Sequence, residues 1–141
     1  MGQWCVDNGL WTAVVNALVG HPTIQQLSLS HNNRVEDRAA FGACLARLIS
    51  ANTPTLNTLS LAWCAIPDDG LRSILAAVAN NTYLQALFLH YNRVLSADFA
   101  EAVVLPAVRA NSALRTLTLT PNIGSGFLGL FEAQELVAAR R

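Results

Sequence analysis

Charged residues are scarce in this sequence. Asp, Glu, Lys and Arg make up only 13% of its 141 residues, whereas an average soluble domain carries about a quarter. Nine basic and nine acidic residues cancel to a formal net charge of zero, so no overall field would attract nucleic acid or anionic lipid. Because 52% of the residues are apolar, we expect part of the surface to be covered by another molecule. The composition argues against a nucleic-acid partner.

Long apolar runs and paired cysteines are also missing. No run of about 18 apolar residues predicts a membrane span, and no basic region followed by an apolar stretch opens the chain as in a signal peptide. The three cysteines, Cys5, Cys44 and Cys64, form no CxxC pair, which disfavours a disulfide framework or a zinc site. We therefore predict an intracellular, cytoplasmic protein without a metal or other cofactor.

The side chains that catalysis requires are present but not grouped. His21, His31 and His90 are the only histidines and fall in different parts of the chain. No serine lies in a GxSxG turn, and Gly124-Ser125-Gly126 lacks the lysine of a phosphate-binding loop. We predict that the protein is not an enzyme and has no catalytic residues.

The sequence does contain an internal repeat. The pattern Leu-x-x-Leu-x-Leu-x-x-Asn, with Ile for the first Leu or Cys for the Asn in single copies, begins at residues 24, 56, 84 and 114. The copies are 32, 28 and 30 residues apart, which suits one strand and one helix and indicates a solenoid. The last residues of the four copies are Asn32, Cys64, Asn92 and Asn122.

Each copy predicts a strand followed by a helix. The alternating leucines must share one face of their strand, and strands joined by helices pair in parallel with the helices on the leucine side. Helices are predicted over residues 7–20, 36–51, 68–79, 97–110 and 131–139. We expect a kink at Pro106, which removes a helix hydrogen bond, and a glycine-rich link before the last helix. The opposite strand face is left open to solvent or a partner and contains Gln26, Ser28, Ser30, Thr58, Ser60, Ala62, Ala86, Phe88, His90, Thr116, Thr118 and Thr120.

The segment Cys64-x-Ile66-x-x-x-Gly70-Leu71 resembles leucine-rich repeats of the ribonuclease-inhibitor type, whose units alternate Asn and Cys at the turn after the strand. The resemblance implies an α/β solenoid, a short horseshoe with about four parallel strands on the concave face and helices on the convex face. It also implies a structural ladder of Asn32, Cys64, Asn92 and Asn122 that hydrogen-bonds the backbone of the turns. We predict one leucine-rich-repeat domain over residues 1–141, with an N-terminal half-repeat helix at 7–22.

Aromatic residues occupy equivalent positions just before these turns. His31, Trp63 and Tyr91 each precede the turn Asn or Cys, while Phe88 and His90 lie on the open face of the third strand. Trp and Tyr supply much contact area in protein interfaces, so these rings predict a partner-binding rim. A second interpretation is that Trp63 and Tyr91 cap the leucine core and that the hydroxyl residues are ordinary strand residues. The predicted partner-binding residues are Phe88, His90, Tyr91, Trp63, His31, Ser60 and Thr118.

The family that the sequence resembles includes enzyme inhibitors, activators of Ran-type GTPases and sensing domains of immune receptors. We therefore predict a non-catalytic module that binds a protein partner through the concave strand face and its aromatic rim. One alternative is a small structural subunit of a larger assembly, with the open ends of the solenoid packed on another chain. A GTPase-activator-like regulator is a further alternative, for which only Arg34 and Arg93 follow the turns.

Overall fold

A computed structural model describes residues 8–31, 38–92, 97–119 and 127–140. Strands and helices alternate along the chain, as the repeat predicts. The elements are α1 (Asn8–Leu18), β1 (Gln26–Ser28), α2 (Arg38–Ser50), β2 (Thr58–Ser60), α3 (Asp68–Asn80), β3 (Ala86–Phe88), α4 (Ala97–Phe99), a π-helical segment (Ala100–Val104), α5 (Leu105–Ala110), β4 (Thr116–Thr118) and α6 (Phe127–Ala138).

The four strands form one parallel sheet in the order β1-β2-β3-β4. The central leucines of the strands, Leu27, Leu59, Leu87 and Leu117, lie side by side in register. The backbone pairing continues beyond each three-residue strand, because the N–H groups of the next leucines donate to the neighbouring repeat at 2.8 to 2.9 Å. The predicted α/β solenoid with parallel strands is confirmed.

The leucine side of the sheet and one stripe of each helix form a continuous core. In α3 the buried residues recur at helical spacing, as Leu71, Ile74, Leu75 and Val78. The helix begins directly after Pro67, whose φ of −74° suits a helix start. Asp68 and Asp69 lie in its first turn, where negative charge interacts favourably with the helix dipole. The core residues include Phe41, Leu45, Leu59, Leu61, Ile66, Leu87 and Leu89.

Helices α2 and α3 approach each other closely at two glycines. A Cβ atom built on Gly42 would lie 2.6 Å from the Cα atom of Gly70, which is shorter than any contact that a real side chain tolerates. The two helices therefore pack backbone against backbone at this point, and only glycine fits at residue 42.

Two helix predictions differ in detail from the structure. The irregularity expected at Pro106 takes the form of the π-helical segment Ala100–Val104, which ends where α5 begins. Pro106 has no N–H for an α-helical hydrogen bond, whereas a π-turn shifts the pairing by one residue. The predicted start of the last helix was wrong, since α6 begins at Phe127 and includes Gly129. A single glycine costs a helix only about 1 kcal/mol.

One residue assigned to the open strand face is buried. Ala62 is only 3% exposed, so the prediction that it faces solvent was wrong. It follows β2 in register with Ser30 and His90, as the hydrogen bonds between the repeats show. Because the methyl group of Ala62 is shorter than either neighbouring side chain, it is shielded from solvent between them.

Candidate protein-interaction site

The chain leaves the sheet through the same unusual backbone conformation in three successive repeats. The φ angles of His31, Trp63 and Tyr91 are 66°, 59° and 58°, in the left-handed region that residues with a side chain rarely adopt. Each such residue costs roughly 1–2 kcal/mol. Backbone pairing offsets part of this cost, since the His31 N–H donates to the Ala62 carbonyl at 2.9 Å and the Trp63 N–H to the His90 carbonyl at 3.2 Å.

This shared conformation stacks three rings into an aromatic ladder, which consists of His31, Trp63 and Tyr91. The ring centroids of Trp63 and Tyr91 are 4.1 Å apart with 22° between the ring planes. Those of His31 and Trp63 are 5.9 Å apart with 10° between the planes. Trp63 is 44% exposed and Tyr91 52%. Both residues therefore present a large part of their surface to solvent.

Two further rings connect the aromatic ladder to the strand face. The His90 ring lies edge-on to Tyr91, with centroids 5.4 Å apart, and Phe88 lies edge-on to His90 at 6.4 Å. Both side chains are half-buried. His90 Nδ1 is 2.8 Å from the Thr118 hydroxyl, which fixes the orientation of the imidazole. The structure thus brings five of the seven predicted binding residues into one run of rings.

The other two predicted residues, Ser60 and Thr118, lie on the floor of the concave face and bond to neighbouring repeats. The Ser60 hydroxyl is 2.6 Å from that of Ser30, and Thr118 bonds to His90 as described. Both are half-buried. Each hydroxyl therefore links its own repeat to a neighbouring one.

The described residues of the concave face carry no acidic or basic side chain, since none of them is Asp, Glu, Lys or Arg. Among the described residues, Arg109 of α5 forms an ion pair with Glu132 of α6 at 2.9 Å. This pair lies on the helical side and not on the concave face. The polar side-chain groups that a partner would meet on the described part of this face are hydroxyls, the His90 imidazole and the Gln26 carboxamide.

The turn residues Cys64 and Asn92 bond to the backbone of the neighbouring repeat. Asn92 Oδ1 accepts from the N–H groups of Cys64 and Ile66 at 3.2 and 3.1 Å, and its Nδ2 donates to the carbonyl of Leu61 at 2.9 Å. Cys64 Sγ lies 3.1 Å from the carbonyl of Leu29, one repeat earlier. These side chains hold the turns that carry the aromatic ladder. The other two predicted members, Asn32 and Asn122, lie outside the described residues.

A second row of polar residues follows the helix ends, and the sequence analysis missed it. Asn81 and Asn111 come directly after α3 and α5 and are buried. The Oδ1 atom of each accepts from the backbone N–H groups two and three residues further on, at 2.7 to 2.9 Å. The Nδ2 atom of each donates to the helix of the preceding repeat. Asn81 donates to the Ile49 carbonyl of α2 at 2.9 Å, and Asn111 to the Val78 carbonyl of α3 at 2.7 Å. Each turn is thereby fastened to the repeat before it.

Toward the two ends of this row other residue types occur, and each provides only part of the hydrogen bonding that Asn81 and Asn111 provide. His21 Nδ1 is 3.2 Å from the N–H groups two and three residues further on, and Thr53 Oγ1 accepts from the Gly20 N–H at 2.9 Å. At the other end, Arg140 donates to the Val108 carbonyl at 2.6 Å. His21, Thr53, Asn81 and Asn111 each lie three residues before the first apolar residue of a repeat, which is the signal that could have identified them. The helix-end ladder comprises His21, Thr53, Asn81, Asn111 and Arg140.

In the described part of the chain, no group of three or more His, Cys, Asp or Glu side chains is placed so that it could bind a metal ion. Across residues 8–31, 38–92, 97–119 and 127–140, no helix is both long and apolar enough to cross a membrane. Cys64 is buried and Cys44 half-buried.

Comparisons with known proteins agree with this architecture. A family profile described as Leucine Rich repeat matches residues 52–75, which contain β2 and the first half of α3. The search of curated proteins gave no significant match.

Two solved structures have the same fold. One is titled leiomodin-1 actin-binding site 2, with a TM-score of 0.78 and 15% identity over 96% of this chain and 76% of that chain. The other is a tropomodulin C-terminal domain from Caenorhabditis elegans, with a TM-score of 0.58 and 16% identity over 92% of this chain and 94% of that one. Together with the repeat profile, they confirm the predicted resemblance to leucine-rich repeats of the ribonuclease-inhibitor-like type and the solenoid fold that it implies.

Proposed function

We propose that this chain is a single, non-catalytic interaction domain that binds a protein partner through the aromatic ladder and the adjoining concave face. The observation that carries the proposal is the exposure of Trp63 and Tyr91, 44% and 52%, in a stack that continues through His90 onto the sheet. Large rings with a polar edge dominate the energetics of protein interfaces and are enriched at binding hot spots.

The rigidity of the aromatic ladder favours binding. A partner gains contact area without having to order flexible side chains, because stacking, the neighbouring turns and the left-handed backbone already hold these rings. The Thr118 hydroxyl lies 2.8 Å from His90 Nδ1, but none of the described residues of the concave face is a carboxylate that could orient the imidazole as in a catalytic triad. The likeness to an actin-binding site of leiomodin-1 shows the fold alone at 15% identity, yet it makes actin the first purified partner to test.

A permanent subunit of a larger assembly is the second candidate. The observation that favours it is the low proportion of charged residues, 13%, which suits a chain with much covered surface. Sedimentation velocity at micromolar concentration separates the two candidates. A stable monomer supports reversible partner binding, and obligate aggregation without a co-expressed chain supports the assembly subunit.

The test of the proposed function compares three forms of the protein in affinity capture followed by quantitative mass spectrometry, and in co-sedimentation with filamentous actin. They are the wild type, the combined Phe88→Ala, His90→Ala and Tyr91→Ala variant, and a Tyr83→Ala control. Tyr83 is 41% exposed and precedes β3, whereas the aromatic ladder follows the strands. The control therefore removes a ring of similar exposure from the opposite ends of the strands. We expect a partner that the wild type and the control capture and the triple variant loses. Equal capture by all three, with circular dichroism unchanged, contradicts the proposal.

A further inference from the structure

We propose that the aromatic ladder and the concave face select an uncharged polypeptide segment that bears proline or aromatic side chains, rather than an acidic or a basic one. The proposal rests on the proposed function and specifies the chemistry of the partner. It follows from the charge of the face, the orientation of the rings and the spacing of the aromatic ladder.

The first argument is electrostatic. The described residues of the concave face include no Asp, Glu, Lys or Arg, and the floor hydroxyls already pair with one another, as in the 2.6 Å contact of Ser30 and Ser60. A charged side chain buried against this surface would lose its hydration without gaining an opposite charge. An uncharged segment avoids this cost, so the face discriminates against both signs of charge.

The second argument comes from how the rings are presented. The members of the aromatic ladder stack with only 10° and 22° between neighbouring planes, so their faces are turned mainly toward one another and the partner meets their edges. Ring edges carry the positive end of the aromatic quadrupole, and the Trp63 indole adds an N–H donor. These groups suit backbone carbonyl oxygens and the faces of partner rings.

The third argument is spacing. The centroid steps of 5.9 and 4.1 Å along the aromatic ladder give it a length close to one turn of a polyproline II helix, about 9 Å. A polyproline II segment has no internal hydrogen bonds, so its carbonyl groups are available to the edge donors. Its stiffness also lowers the entropy lost on binding. A proline-bearing segment laid along the aromatic ladder therefore places one turn against all three rings.

The experiment is a selection from phage-displayed random peptides of about 12 residues, a length that spans the aromatic ladder with flanking contacts. The library is selected on the wild type after depletion on the Trp63→Ala, Tyr91→Ala double variant. Tyr83→Ala serves as the matched control and should retain the selected peptides. We expect these peptides to contain at least about threefold fewer Asp, Glu, Lys and Arg residues than the input library, with Pro, Trp, Tyr and Phe enriched.

A second measurement uses the best selected peptide. Its dissociation constant should change by less than about twofold between about 0.05 and 0.5 M NaCl, because no ion pair contributes. Selected peptides rich in acidic or basic residues, or a steep dependence on salt, would overturn the proposal, as would the absence of any peptide that depends on the ladder. A protein partner lost by the Phe88, His90 and Tyr91 variant but bound through a charged segment would refute this inference and leave the proposed function intact.

Discussion

Replacing Asn111 with alanine tests the helix-end ladder, on which the stacking of the repeats depends. Asn111 is 2% exposed. Its Oδ1 accepts from two backbone N–H groups at 2.9 and 2.7 Å, and its Nδ2 donates to the carbonyls of Val78 and Asn81 at 2.7 and 2.9 Å. Truncation to a methyl group leaves these four backbone groups without that partner in a dry environment.

The magnitude follows from the groups that lose their partner. The Val78 carbonyl still accepts from the Asn81 N–H at 3.1 Å, which leaves three groups. A buried donor or acceptor that loses its partner costs about 1–3 kcal/mol, so three of them at the lower limit give a loss of about 3 kcal/mol. Urea titration followed by far-ultraviolet circular dichroism measures the change. With a slope of about 2 kcal/mol per molar urea, the midpoint should fall by about 1.5 M.

The matched control is Asn16→Ala. Asn16 is exposed and accepts one hydrogen bond, from Arg47 at 3.1 Å, so its loss should cost less than about 0.5 kcal/mol. If Asn111→Ala lowered the free energy of unfolding by no more than Asn16→Ala does, the helix-end ladder would not stabilise the array, and the reasoning would fail.

Two further substitutions test the packing of the repeats by the same titration. Gly42→Ala should destabilise the protein by about 1 kcal/mol, because overpacking costs about 2 kcal/mol and the gain in helix propensity returns only about 1 kcal/mol. An increase in stability would show that α2 and α3 are not in contact at Gly70. His21→Ala should cost about 1 kcal/mol, because the two N–H groups that donate to Nδ1 are exposed or half-buried and can bond to water instead. His21→Asn should cost less, since Asn81 accepts the equivalent hydrogen bonds with Oδ1. Equal losses for the two His21 variants would show that Nδ1 is not the acceptor.

The sequence was sufficient to predict the fold because one repeat determines both the strand pairing and the position of the helices. Leucines spaced by two on a strand must share a face, and a period near 30 residues leaves room for one helix. The irregularity inside the helix predicted over residues 97–110 was predictable only in part. Pro106 removes a hydrogen bond in any helix, but whether the chain bends or widens into a π-turn depends on packing against α3 and α6 that no local pattern encodes.

The candidate site was also predictable only in part. That His31, Trp63 and Tyr91 are equivalent follows from the repeat, but their contact does not, since it requires the left-handed backbone at all three turns. The helix-end ladder escaped prediction because its members differ in type. Asparagine and histidine accept at a δ atom from the backbone two and three residues further on. Threonine accepts at Oγ1 from the preceding repeat, and a pattern of leucines reveals neither contact.

The most direct test of the binding face is the dissociation constant of the captured partner, measured by isothermal titration calorimetry for the wild type, the Trp63→Ala, Tyr91→Ala double variant and the Tyr83→Ala control. Hot-spot rings contribute about 2 kcal/mol or more each, so the double variant should bind at least about 100-fold more weakly. The control should bind within about twofold of the wild type, since a ring outside the interface makes little difference. An unchanged dissociation constant for a folded double variant would contradict the assignment of this face to partner binding.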